Sequence, residues 1–118
     1  QAQADAARAR YDDARAGYAL KLRSAVREVE EALLRLDASQ RREADARTAA
    51  EGLRSYLGST EERARLGSAS VIETEDARRL TLSAEATLLA LQREQVAAWI
   101  SLYRAIGGGW TRDHNTPS

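Results

Sequence analysis

Three acidic residues that stand close together, Glu73, Glu75 and Asp76, are of the type that holds a divalent cation. No ligand-rich, glycine-containing loop of the EF-hand kind surrounds them. They follow Ser70, and Ser70-x-x-Glu73 is a capping box that opens a helix. Acids in the first turns also suit the positive end of the helix dipole. Capping is therefore the stronger reading of the three acids. His114 is the single histidine and stands in a polar tail, so one chain builds no multi-histidine metal site. There is no Cys, which removes thiolate ligands, thiolate nucleophiles and disulfides. No Gly-x-Ser-x-Gly elbow is present. Gly107-Gly108-Gly109 has neither the Lys-Ser/Thr nor the preceding strand of a phosphate loop, and it reads as a helix stop. No cofactor, no metal and no enzymatic activity is expected.

The elements behind these residues are helical. The chain has 118 residues, room for one domain. Lys+Arg and Asp+Glu are 18 each, a balance unlike the basic excess of a nucleic-acid binder. Leu, Val and Ile number 14, 4 and 3, and Phe is absent, so any core is thin. Ala, Glu, Lys, Leu and Arg make up about 57 % of the chain, the composition of long or coiled-coil helices. The only Pro is residue 117, leaving the rest free of the strongest helix breaker. No apolar run reaches the roughly 18 residues of a membrane-spanning helix. The chain lacks an initial Met and reads as a segment of something longer.

Residues 1–65 follow a helical pattern. Tyr11, Tyr18, Ala25 and Ala32 recur every seven residues, and Leu22, Val29 and Leu36 interleave with them. This is a heptad seam. It continues through Ser39, Glu43, Ala46, Ala50, Leu53 and Leu57, where small residues let a neighbour come close. Val26 and Leu33 widen the stripe. Gly52 and Gly58 weaken the helix by up to about 1 kcal/mol each relative to Ala. A kink or break near Gly58 stays open, with Ser59-Thr60-Glu61-Glu62 as a fresh capping box; the pattern resumes in phase, which favours continuity.

Residues 66–70, Leu66-Gly67-Ser68-Ala69-Ser70, form the best turn signal. Gly67 can take the left-handed conformation that ends a helix, and Ser70 can cap the next one. The second helix is expected over 71–106. Leu82, Leu89, Val96 and Tyr103 make one line along it; Ala77, Ala84, Leu91, Ala98 and Ala105 make another; Leu88 and Leu102 add a third. So broad an apolar surface implies more than one neighbour. Trp99 and Tyr103 read as a packed or interfacial pair, and Arg41-Arg42 and Arg78-Arg79 as solvated surface. The glycines and a polar tail close the chain over 107–118.

The expected fold is therefore all-α, a long antiparallel, coiled-coil-like helical hairpin. At about 1.5 Å per residue the arms span roughly 98 Å and 54 Å. About the first 30 residues of the longer arm then have no partner in this chain, and an apolar seam without a partner implies another chain or more of this one.

Several segments resemble the outer-membrane efflux family, the TolC-like channel proteins, and within it the NodT-type lipoprotein subgroup. Leu102-Tyr103-Arg104-Ala105-Ile106-Gly107-Gly108-Gly109-Trp110 resembles that subgroup's "LYRALGGGW" ending. Arg27-Glu28-Val29-Glu30-Glu31-Ala32-Leu33 is similar to its "REVEDAL". The stretch from Arg63 to Ala77 lines up with the tip pattern "RYxxGxxSxxDVLDA". Residues 1–14 resemble the stretch after the family's last membrane strand. The resemblance covers about residues 1–110, with its motifs in the right order and spacing.

That resemblance implies a homotrimer in the intact protein. It implies a shared β-barrel in the outer membrane and an α-barrel continuing it through the periplasm. This chain would be a helical segment of that periplasmic part. The first helix would descend, residues 66–70 would be the periplasmic tip, and the second helix would climb back. The resemblance implies conduction, as in multidrug efflux. Its partners would be a periplasmic adaptor (membrane fusion protein) and, through it, an inner-membrane pump. By position Leu66, Gly67, Ser68 and Ser70 would carry the adaptor contact. Glu73 and Asp76 match acidic positions at the narrow channel entrance, where three copies would form a ring that attracts cations. One rotamer of Glu73 cannot serve both the capping box and that ring. The sequence departs from the family pattern at Ala64 (a Tyr), Ala69 (an Arg in some members) and Thr74-Glu75 (Val-Leu), so no closed-state lock is carried over. The alternative is a stand-alone coiled-coil hairpin, a structural or interaction module. As an isolated piece the chain is expected to self-associate, with no nucleic-acid partner.

Overall fold

A computed structural model of the chain describes residues 1–111, with side chains through residue 108. Two helices account for nearly all of it: α1, Ala2–Arg65, and α2, Val71–Thr111. Among the described residues there is no strand. The fold is all-α, a helical hairpin turning at residues 66–70.

α1 runs unbroken through Gly52 and Gly58. Neither glycine has a neighbour within 4 Å of where a Cβ would sit, so nothing pries the helix open there. Ser59 to Glu62 are interior helical residues, not a new N-terminus. α2 passes the expected end at Ile106 and continues through Gly107, Gly108 and Gly109 to Thr111. Glycine raises the free energy of a helix but keeps its N–H, so the backbone ladder survives where a proline would break it. His114 and the tail over 112–118 lie outside the described residues.

The chain divides into two compact units. The larger, Arg35–Trp99, holds the hairpin proper. Its α1 face is Leu36, Ser39, Glu43, Ala46, Ala50, Leu53, Leu57, Thr60 and Ala64, all buried or half-buried. Successive members alternate by three and four residues, the heptad step that keeps one face toward a partner. The α2 face of the unit is Ala77, Thr81, Ala84, Leu88, Leu91, Gln95 and Ala98, at the same alternation. Ala50, Ala77, Leu36 and Leu88 are its buried aliphatics, with Ala50 fully enclosed. Small residues at the centre bring the backbones close, at the expense of apolar area.

Two of the buried hydroxyls are satisfied within their own helix. Ser39 Oγ donates to Leu36 O at 2.8 Å and Thr60 Oγ1 to Tyr56 O at 2.9 Å. Among the described residues no buried side-chain nitrogen or oxygen lacks a partner. Glu43, in the seam, pairs with Arg47 one turn on.

The other unit joins Gln1–Leu34 with the α2 residues from Ile100 onward. Ala32 and Leu102 are its buried aliphatics, flanked by the half-buried Ala25, Val29 and Ala105. Tyr11, Tyr18 and Leu22, on the same heptad seam, are exposed. Tyr103 and Ile106 are exposed as well.

The line Leu82, Leu89, Val96 and Tyr103 is outward-facing throughout. The hairpin instead buries the line of Ala77, Ala84, Leu91 and Ala98 with Thr81, Leu88 and Gln95 between them. In the larger unit the outward face also carries Trp99, so α2 has a second apolar stripe that stays exposed among the described residues.

Candidate functional site

The turn is built by the caps of the two helices. Gly67 has φ +82°, the only left-handed residue among the described ones. Its N–H donates to Ala64 O at 3.1 Å, and Ser68 N–H donates to Arg63 O at 2.7 Å. That pair of bonds is the Schellman motif, which satisfies the last carbonyls of α1. A Cβ at Gly67 would meet nothing within 4 Å, so backbone conformation alone calls for glycine.

Ser70 starts α2. Its Oγ accepts the Glu73 N–H at 3.1 Å, and its carbonyl accepts the Thr74 N–H at 3.1 Å. Thr74 Oγ1 donates to the same carbonyl. The serine half of the expected capping box is thus present. The carboxylate half goes elsewhere, because Glu73 Oε1 accepts from Arg63 Nη2 at 2.8 Å. A charged guanidinium across the turn is a stronger partner than a neutral backbone N–H.

A second layer of charge lies just behind. Arg78 Nη1 bonds Glu75 Oε1 at 2.5 Å, and Arg78 Nη2 reaches Glu61 Oε1 at 3.4 Å. Arg65 pairs with Glu62 within α1. Farther along the hairpin, Arg54 Nε bonds Glu85 at 2.8 Å and Arg42 pairs with Glu94 at 2.9 Å. Arg42 and Arg78, which look like idle surface in the sequence, both bridge the two helices. Such pairs are half-exposed and weak singly, but they disfavour a hairpin shifted by one turn. Asp76 is exposed and has no ion-pair partner among the described residues.

The structure brings the proposed docking residues together in one exposed turn. Leu66, Gly67, Ser68 and Ser70 are all solvent-facing, Leu66 at 72 % exposure. It adds two residues that the sequence reading passed over. Val71 and Ile72 are 78 % and 75 % exposed in the first turn of α2. Two adjacent large aliphatics after a cap were a signal, since successive helical positions cannot both face one neighbour. With Leu66 they put three bare aliphatic side chains at the turn.

Among the described residues no group of three His, Cys, Asp or Glu is placed to hold a metal ion. No described helix is long and apolar enough to cross a membrane. The arrangement is a shaped, partly apolar, solvent-exposed turn with fixed charges around it.

Comparison with known families gives a match over most of the chain. The family model described as outer membrane efflux protein matches residues 1–108. No curated protein and no solved structure gave a match.

Proposed function

Because the chain belongs to the outer membrane efflux protein family, we propose that it is the periplasmic hairpin of a trimeric efflux channel whose turn docks a periplasmic adaptor. The intact channel would be of the NodT-type lipoprotein kind and the adaptor would link it to an inner-membrane pump. The chain's work is conduction and assembly, not catalysis.

The observation that carries the docking role is the turn itself. Leu66, Val71 and Ile72 stand almost fully in water around a backbone fixed by Gly67 and Ser70. Large aliphatics left bare at a rigid turn suit a protein partner better than solvent. Ser68 and Ser70 supply hydroxyls for orienting hydrogen bonds. Glu73 and Asp76 lie within two turns of this surface, at the proposed entrance. The outward stripe of Leu82, Leu89, Val96 and Trp99 fits packing against a neighbouring helix of the barrel.

The experiment is photo-crosslinking in cells. A photoreactive amino acid at Ser68 should give an adduct with a periplasmic adaptor, while one at the exposed Thr48 should not. Absence of a Ser68 adduct, or equal adducts at both positions, would reject docking through the turn. A second reading, a self-associating coiled-coil hairpin, draws on the same outward stripe. It predicts Ser68 adducts between copies of this chain only.

A further inference from the structure

Five carboxylates flank the turn, and the structure divides them unequally. Glu61 and Glu75 share Arg78, Glu62 is held by Arg65, and Glu73 is held by Arg63. Asp76 alone keeps its charge without a partner among the described residues. We propose that Arg63 is a specificity-determining residue of the channel entrance: by holding Glu73 within its own chain, it leaves Asp76 as the one carboxylate beside the turn that has no ion-pair partner among the described residues. This role rests on the channel reading above.

The geometry favours the pairing. Arg63 is the residue whose carbonyl accepts the Ser68 N–H, and Glu73 is the residue whose N–H is capped by Ser70. The caps of the turn therefore fix both backbones, and each side chain needs only to reach across. The side chains are 44 % and 37 % exposed, so solvent screens the pair and it can open. While closed, it places a positive charge 2.8 Å from the carboxylate. A passing ion then meets a dipole, whose field falls faster with distance than that of a bare charge. Replacing Arg63 by a neutral residue restores a whole negative charge per chain, three per trimer.

The test is the cation-to-anion permeability ratio of the intact channel that carries this chain, read from reversal potentials in planar bilayers. Arg63→Gln should raise the ratio about twofold or more, the scale of one added charge several ångströms from the ion path. Arg65→Gln, two residues away with its partner Glu62 in α1, removes the same charge and should change the ratio far less. Glu73→Gln alone, which leaves Arg63 uncompensated, should lower the ratio, and the double variant Arg63→Gln with Glu73→Gln, in which both charges of the pair are gone, should return close to the wild-type ratio. Arg63→Lys, which keeps the charge, should stay near the wild-type ratio and exposes any effect of misfolding. Equal increments from Arg63→Gln and Arg65→Gln would overturn the proposal, as would a double variant whose ratio stays far from that of the wild type. A wild-type protein that conducts no ions would reject the channel reading and this role with it, before any variant is compared.

Discussion

Thr81 Oγ1 lies 3.1 Å from the carbonyl oxygen of Leu53, across the hairpin from its own helix. It also lies 2.8 Å from Ala77 O, one turn back in α2. A threonine hydroxyl in a helix ordinarily serves only its own preceding turn. Here its proton is shared between that turn and the opposite helix. The contact needs backbones close together, and the small residues Ala50 and Ala77 on the two facing surfaces allow it. Together with the Arg54–Glu85 pair it marks the register of α1 against α2.

Replacing Thr81 by Val keeps the shape and removes the hydroxyl. Leu53 O keeps its place as an acceptor in the α1 ladder, so no buried group is orphaned. The expected loss is about 1 kcal/mol of unfolding free energy, the net value of one intramolecular hydrogen bond. Urea unfolding followed by circular dichroism measures it. An unchanged midpoint would mean that the hydroxyl does not join the helices.

Ala50 has no exposed surface, whereas its neighbour Ala49 faces solvent. Ala50→Leu should therefore destabilise the hairpin by about 1–3 kcal/mol through overpacking. Ala49→Leu should be close to neutral. A tolerated leucine at 50 would show that the two helices do not pack through their alanines.

The two glycines Gly58 and Gly67 should respond in opposite ways to a side chain. Gly58 is helical with open space around it, so Gly58→Ala should stabilise by up to about 1 kcal/mol. Gly67 is left-handed, so Gly67→Val should cost about 1–2 kcal/mol although nothing would touch the new side chain. Thermal melts of the two variants give the comparison. Destabilisation by Gly58→Ala would point to a break in α1 that the continuous helix excludes.

Much of the hairpin is readable from sequence because α1 carries its seam in small steps of three and four. The positions from Ala25 to Leu57 that follow this rhythm are the ones the structure buries or half-buries. Gly67 and Ser70 announce the turn for the same local reason, since a left-handed residue and a cap have few alternatives. The inward face of α2 was harder to see. Its most apolar line, Leu82, Leu89, Val96 and Tyr103, faces outward, and the buried one mixes Ala with Thr81 and Gln95. A helix with apolar stripes on two sides does not say which side meets its own chain. The partners of Glu73, Arg78 and Arg42 were equally hidden, because ion pairs between helices depend on a register that no short window contains. The helical run through Gly107–Gly109 reflects the opposite error, since glycine is permissive and local pattern alone overstated it as a stop.

The outward stripe should govern association. Leu89→Ser with Val96→Ser alters two exposed positions, so the hairpin's own stability should shift by no more than about 0.5 kcal/mol. Self-association of the isolated chain, measured by sedimentation velocity, should fall markedly. Undiminished association would move the contact to the exposed Tyr11, Tyr18 and Leu22 at the other end of α1.

The central claim is that this hairpin works inside an outer-membrane efflux channel. Fractionation of the source bacterium, with immunoblotting by an antibody raised against this chain, tests it most directly. The account predicts a band in the outer-membrane fraction that is larger than the chain's 13.0 kDa. A soluble band near 13.0 kDa would contradict it and leave the self-associating hairpin as the function of the molecule.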